Sequence, residues 1–176
     1  MIFVTVGTQP NGFLRCLQEV EKLIDRYNIT EEVVAQIGNT DFATNKFKTI
    51  RFTGENEFKE LIGSASVVIT HAGSGAIFNS IKAGKKVIAM ARLHKFNEMA
   101  DDHQTELIKK LADEGYIIDG TYSLCDAWPE LNGFVPRKND FKNEIIDVLD
   151  KYIAENGAYP PNQNGLIHPQ LSLKWA

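Results

Sequence analysis

Two cysteines, Cys16 and Cys125, are all that the 176 residues contain, and they form no C-x-x-C pair. That excludes a cysteine-built zinc framework or a disulfide-dense scaffold and fits a reduced, cytoplasmic setting. No apolar run approaches the ~20 residues needed to cross a bilayer as a helix. The N-terminal MIFVTVGTQ lacks a basic start followed by a long apolar core, so it does not read as a signal peptide. Positive charge is not in excess either: 19 Lys and Arg stand against 23 Asp and Glu, a formal net charge of -4. With no dense basic cluster, nucleic acid is excluded as a partner, and so is independent attraction to an anionic membrane.

What is present is a regular alternation of short apolar runs and helical patterns. Ile2 to Val6 reads as a buried strand ended by Gly7-Thr8. Leu14, Leu17, Val20, Ile24 and Tyr27 then recur at spacings of three and four, as on one helix face. Further strands are expected at Val33 to Ile37, Thr49 to Phe52, Val67 to Thr70, Val87 to Met90 and Tyr116 to Ile118. Between them, Phe58, Leu61 and Ile62 suit a short helix, Ala76 to Ala83 a helix closed by Gly84, and Asp102 to Ala112 another. Phe141, Ile145, Val148, Leu149 and Tyr152 mark a last helix. Apolar strands alternating with helices imply a doubly wound parallel sheet covered on both faces, an α/β fold of Rossmann-like type. One domain over residues 1–156 is expected, followed by an irregular tail over 157–176 that carries three of the six prolines.

In such sheets ligands bind beyond the carboxyl ends of the strands. Three segments fall there: Gly7-Thr8-Gln9, the turn from His71 to Gly75, and the stretch from Arg92 to Gln104. Gly73-Ser74-Gly75 suits a phosphate, because glycines let backbone N–H groups approach an anion and the following helix points its positive end at it. The same tripeptide also reads as a ligandless strand-to-helix turn. It matches neither the P-loop nor G-x-G-x-x-G, and Ala72 and Ala76 stand where the nucleophile elbow needs glycines. His71 reads as a hydrogen-bonded structural group before it reads as a catalyst. Asp101, Asp102 and His103 point in different directions at a helix start, so they read as dipole-complementing residues rather than metal ligands.

Five stretches in order, VTVGT at 4–8, QIGN at 36–39, ITHAGSG at 69–75, AGKKVI at 83–88 and DDHQ at 101–104, resemble the C-terminal domain of glycosyltransferase family 28. That domain is the donor half of the two-domain GT-B fold, and the resemblance covers roughly residues 1–155. It is similar to free-standing versions that serve as cytosolic subunits of two-piece transferases. One such transferase is the dolichol-linked N-acetylglucosaminyltransferase, and others are bacterial enzymes of capsule and exopolysaccharide assembly. MIFVTVGTQ and ARLHKFNEMADDHQ have the look of the bacterial branch.

The resemblance implies a UDP-sugar donor and no cofactor or bound metal. Gly73, Ser74 and Gly75 would hold the diphosphate, and Gly7 and Thr8 would lie near it, facing the cleft. Asp102, His103 and Gln104 would bond hydroxyls of the transferred hexose or N-acetylhexosamine. Phe58, within the segment from Gly54, would help cradle uracil. A ribose contact falls to Asn79, where the family pattern carries a glutamate. An amide has one acceptor oxygen and no charge, so it replaces only some of a carboxylate's bonds. The resemblance further implies an inverting transfer to a polyprenyl-linked saccharide. The acceptor would be held by a membrane-anchored partner that also supplies the general base, with His71 second in line, and this chain would be peripheral at the membrane through that partner. Two rivals remain: a stand-alone UDP-sugar epimerase, disfavoured by length, and a non-catalytic nucleotide-binding or regulatory subunit, which Asn79 favours.

Overall fold

The computed structural model describes residues 1–138, within the first of the two units into which the chain divides, Met1–Asp140 and Phe141–Ala176. The expected last helix and the boundary at residue 156 lie outside the described residues. Strands β1 (Ile2–Thr5), β2 (Val33–Gln36), β3 (Lys48–Ile50), β4 (Val67–His71), β5 (Lys86–Met90) and β6 (Ile118–Asp119) form one sheet, ordered β3-β2-β1-β4-β5-β6. Every neighbouring pair is parallel. This is the doubly wound Rossmann-like order, and chain direction across the sheet reverses between β1 and β4.

All of β1 and β2, and four of the five residues in each of β4 and β5, are buried, as expected of strands covered on both faces. The exception is β3, an edge strand with Lys48 and Thr49 exposed; it ends before Phe52, which is 49% exposed. Its apolar residues are too few to demand cover. Tyr116 and Ile117 are buried ahead of β6 rather than within it.

Helix α1 (Leu14–Tyr27) buries Cys16, Leu17, Val20 and Leu23, while Leu14 is 46% exposed. The buried stripe is thus rotated from the one that the three-and-four spacing suggests, because Cys16 and Leu23 also face the sheet. Helix α2 (Glu55–Ser64) packs Phe58, Leu61 and Ile62 against Phe3 and Val68. Helix α3 (Ser74–Lys82) starts two residues earlier than the apolar pattern, and Gly84 follows it in the left-handed region at φ +66°. Helix α4 (His103–Asp113) buries Gln104 with Leu107, Ile108 and Leu111. A short helix α5 (Leu124–Ala127) and a 3-10 turn (Trp128–Leu131) follow; neither has enough period to be seen in the sequence.

Candidate functional site

The register places Thr5 opposite Thr70, so the loop after β1 and the turn after β4 leave the sheet side by side at the reversal. His71 fills the space between them. Its Nδ1 lies 3.3 Å from the carbonyl oxygen of Thr5, which can only accept, so Nδ1 carries the proton and Nε2 keeps its lone pair. A Cβ at Gly7 would come within 2.5 Å of His71 Nε2, and one at Gly73 within 2.2 Å. Gly7 also adopts φ +77°, which an L side chain resists. The two glycines on either side of the cleft are therefore what the imidazole requires. Burial first, and the Arg92 guanidinium second, push the His71 pKa down from 6.5 to about 4, against the opposing hydrogen bond to Thr5. The ring is neutral at pH 7. Its Nε2 lone pair is available as an acceptor.

Helix α3 begins beside this ring. Its N-cap is Gly73, with no side-chain cap, and Ala76 and Ile77 N–H both return to the Gly73 carbonyl. Earlier N–H groups of a first helical turn have no intrahelical acceptor and project from the helix end. A Cβ at Gly75 would meet nothing within 4 Å, so the approach to this end is open. One turn further, Asn79 Nδ2 donates to the Gly75 carbonyl at 2.9 Å. The amide nitrogen thus closes on its own helix, leaving Oδ1 as the side chain's acceptor. Glutamate there has no such donor.

The third segment is ordered by its own polar residues. Asp102 Oδ1 accepts from His94 N–H at 2.7 Å, tying the start of α4 to the 3-10 turn His94–Phe96. The Asp101 carboxylate bonds both the His103 N–H and its ring Nδ1, and this holds the Asp101 carboxyl below its usual range. Gln104 is 5% exposed, and its Oε1 accepts the main-chain N–H of Arg92 at 3.1 Å. Among the described residues no group of His, Cys, Asp and Glu is placed to hold a metal ion.

Residues 1–120 match the model of the glycosyltransferase family 28 C-terminal domain. The chain belongs to that family. It is 31% identical over 136 residues to the UDP-N-acetylglucosamine transferase subunit ALG13 of Homo sapiens, across 70% of this chain and 11% of that protein. The subunit of the same name from Cryptococcus neoformans is 30% identical over 115 residues, 60% of this chain and 55% of its own length. This chain therefore spans only part of the curated relatives it matches. In fold it is similar to the solution structure of ALG13 (TM-score 0.54, 18% identity, 84% of this chain and 93% of that one). It is also similar to the glycosyltransferase SnogD of Streptomyces nogalater (TM-score 0.52, 15% identity, 88% of this chain and 39% of that one).

For a family 28 chain, the site has supports that motif reading does not reveal. Arg92, 1% exposed, donates to the carbonyls of Val6 (2.9 Å), Asn11 (2.9 Å) and Gly12 (2.8 Å) and lies 4.7 Å over the Phe13 ring. Asn39, within QIGN, donates to the Thr8 and Gln9 carbonyls at 3.2 and 3.0 Å. Arg15 grips both oxygens of the buried Glu98 carboxylate at 2.9 and 2.8 Å, and Glu98 also accepts from Leu93 N–H. Only an arginine next to a buried strand, and an asparagine after a glycine, hinted at this. Phe58 is half-buried on α2, edge-on to Phe3 at 5.6 Å.

Proposed function

We propose that this chain is the donor-binding subunit of an inverting two-component glycosyltransferase that uses a UDP-sugar. The observation that carries the reading is the convergence, at one switch point, of the open N-terminus of α3, the Gly7-Thr8 loop and a neutral His71. Backbone N–H groups at a helix end stabilise the charge that develops on a departing diphosphate without a metal. In this reading Gly73, Ser74 and Gly75 receive the diphosphate and Asn79 Oδ1 meets the ribose. Asp102, His103 and Gln104 line the sugar end. The relatives' name supports N-acetylglucosamine as the transferred sugar.

An acceptor hydroxyl attacks the anomeric carbon, the bond to UDP breaks with inversion, and a base takes the hydroxyl proton. We assign that base to a second polypeptide, with His71 second in line. We assign this partner a membrane anchor and a polyprenyl-linked saccharide acceptor, in capsule or exopolysaccharide assembly. No helix among the described residues is long and apolar enough to cross a membrane, so membrane contact through the partner is the route this reading requires.

The test is calorimetric titration with UDP, followed by sugar transfer with and without the product of a neighbouring gene. Micromolar UDP binding with activity only in the pair supports the proposal; strong transfer by the chain alone overturns the two-subunit reading. A second reading, a nucleotide-binding or regulatory subunit without catalysis, is favoured by Asn79 standing where the family pattern carries a glutamate. It predicts UDP binding but no transfer in any pairing.

A further inference from the structure

The loop between β1 and α1 is unusual in where its carbonyls go. Val6, Asn11 and Gly12 carbonyls accept from the Arg92 guanidinium, and Thr8 and Gln9 carbonyls accept from the Asn39 amide. Five of the seven carbonyls from Val6 to Gly12 are thus captured by two side chains. Carbonyl oxygens carry partial negative charge, and a loop left to itself would present some of them to a bound anion. No peptide in the described chain is cis. In a trans peptide the N–H points away from its own C=O. The Gln9 N–H therefore lies opposite Asn39, and the Gly12 N–H opposite Arg92. The Gly12 to Phe13 peptide is held from both ends, since Phe13 N–H donates to Thr40 Oγ1 at 2.9 Å.

Arg92 also joins this wall to the other side of the cleft. Its side chain holds the β1–α1 loop while its main-chain N–H holds Gln104 at the start of α4. His71 lies between them, its pKa pushed down by burial first and by the Arg92 charge second.

We propose that Arg92 and Asn39 are positioning residues that fix the carbonyls of the Val6–Gly12 loop by hydrogen bonds, so that the Gln9 and Gly12 N–H groups of the loop, rather than its carbonyls, meet the phosphates of a nucleoside diphosphate. This rests on the donor site proposed above. It makes the β1–α1 loop a second backbone donor wall, facing the α3 helix end across His71.

The prediction is selective: weakening the wall affects the phosphates and spares the nucleoside. The variants are Asn39→Asp, which places a carboxylate against two carbonyls, Asn39→Gln, which can restore a donor, and Arg92→Lys, which keeps charge but loses the fork. Affinities for UDP and for uridine are read on the full chain by competition NMR, with urea unfolding as the control for global stability. Asn39→Asp and Arg92→Lys are expected to weaken UDP by about tenfold, the equivalent of ~1.4 kcal/mol, and leave uridine within about twofold. Asn39→Gln should recover part of the loss. Equal weakening of both ligands, or unchanged UDP affinity in a folded Asn39→Asp, overturns the proposal. Asn39 is exposed, so this arm decides even if Arg92→Lys does not fold. Wild-type protein that binds neither ligand removes the donor reading itself. Wild-type binding with indifferent variants removes only the positioning role.

Discussion

Adding one carbon at Gly73 tests the arrangement around His71 most directly. The new Cβ would stand 2.2 Å from Nε2, 2.8 Å from Cε1 and 3.0 Å from Cδ2 of the ring. Ordinary non-bonded contact begins near ~3.5 Å, so ring or turn must shift by about 1 Å. The ring cannot simply rotate away without losing its bond to the Thr5 carbonyl. Gly73 itself has φ -72°, allowed to any residue, so the penalty is purely steric. Overpacking of this kind costs about 1–3 kcal/mol. Gly7→Ala meets the same ring at 2.5 Å but also occupies φ +77°, adding about 1–2 kcal/mol for the left-handed backbone. Urea unfolding of each variant, alone and with His71→Ala, separates the two contributions. Without the imidazole, Gly73→Ala should fall to within about 0.5 kcal/mol of neutral, while Gly7→Ala keeps its backbone penalty. Equal destabilisation by Gly73→Ala with and without the ring would refute the idea that His71 is what the glycine accommodates.

The remaining predictions are independent of that one. His71 titrates near 4 when folded against 6.5 as its ordinary value, so the unfolded chain binds more protons between those pH values. Its contribution is complete above about pH 6.5 and is lost as pH falls to 4, by at most ~3 kcal/mol; His71→Gln should flatten that slope in unfolding measured across the range. Glu98→Ala, leaving Arg15 without its bidentate carboxylate, should cost about 3–5 kcal/mol in thermal or urea unfolding, and a loss below ~1 kcal/mol would show the pair to be solvent-screened. Asn79→Glu should tighten UDP by about tenfold if the position meets the ribose, from a charge-assisted bond worth ~1.5–3 kcal/mol; unchanged calorimetric affinity would remove Asn79 from the site. Burial pushes the Cys16 thiol up to about 12, so native protein should resist iodoacetamide at that residue at pH 8, as peptide mapping would read.

The parallel sheet was legible because each strand is short, apolar and separated from the next by a helical period. Those signals are local. The least legible strands were β3 and β6. At the sheet edges burial is partial, and hydrogen bonding to a single neighbour decides where a strand ends. The α1 stripe was displaced for a related reason: Leu14 is as apolar as Leu17, but the sheet is not beneath it. The turn His71 to Gly75 was legible as a turn, since small residues interrupt the apolar run between a buried strand and a helix, and α3 starts there at Ser74. Phe58 looks alike in sequence whether it faces a ligand or a core. Only the fold shows that one edge of it meets Phe3.

The sequence by itself determined the layer order and the strands whose ends carry the candidate segments, since both follow from residue type at short range; the departure at Asn79 is visible only against the family pattern. Only the tertiary structure decided that Gly7 and Gly73 crowd one imidazole, that this imidazole is largely desolvated, and that Arg92 and Asn39 hold five of one loop's carbonyls. Those decisions join residues 30 and 86 positions apart, as Asn39 to Gln9 and Arg92 to Val6. Hydrogen bonds and desolvation act through space, and sequence spacing carries no record of them until the sheet has brought β1, β2, β4 and β5 side by side.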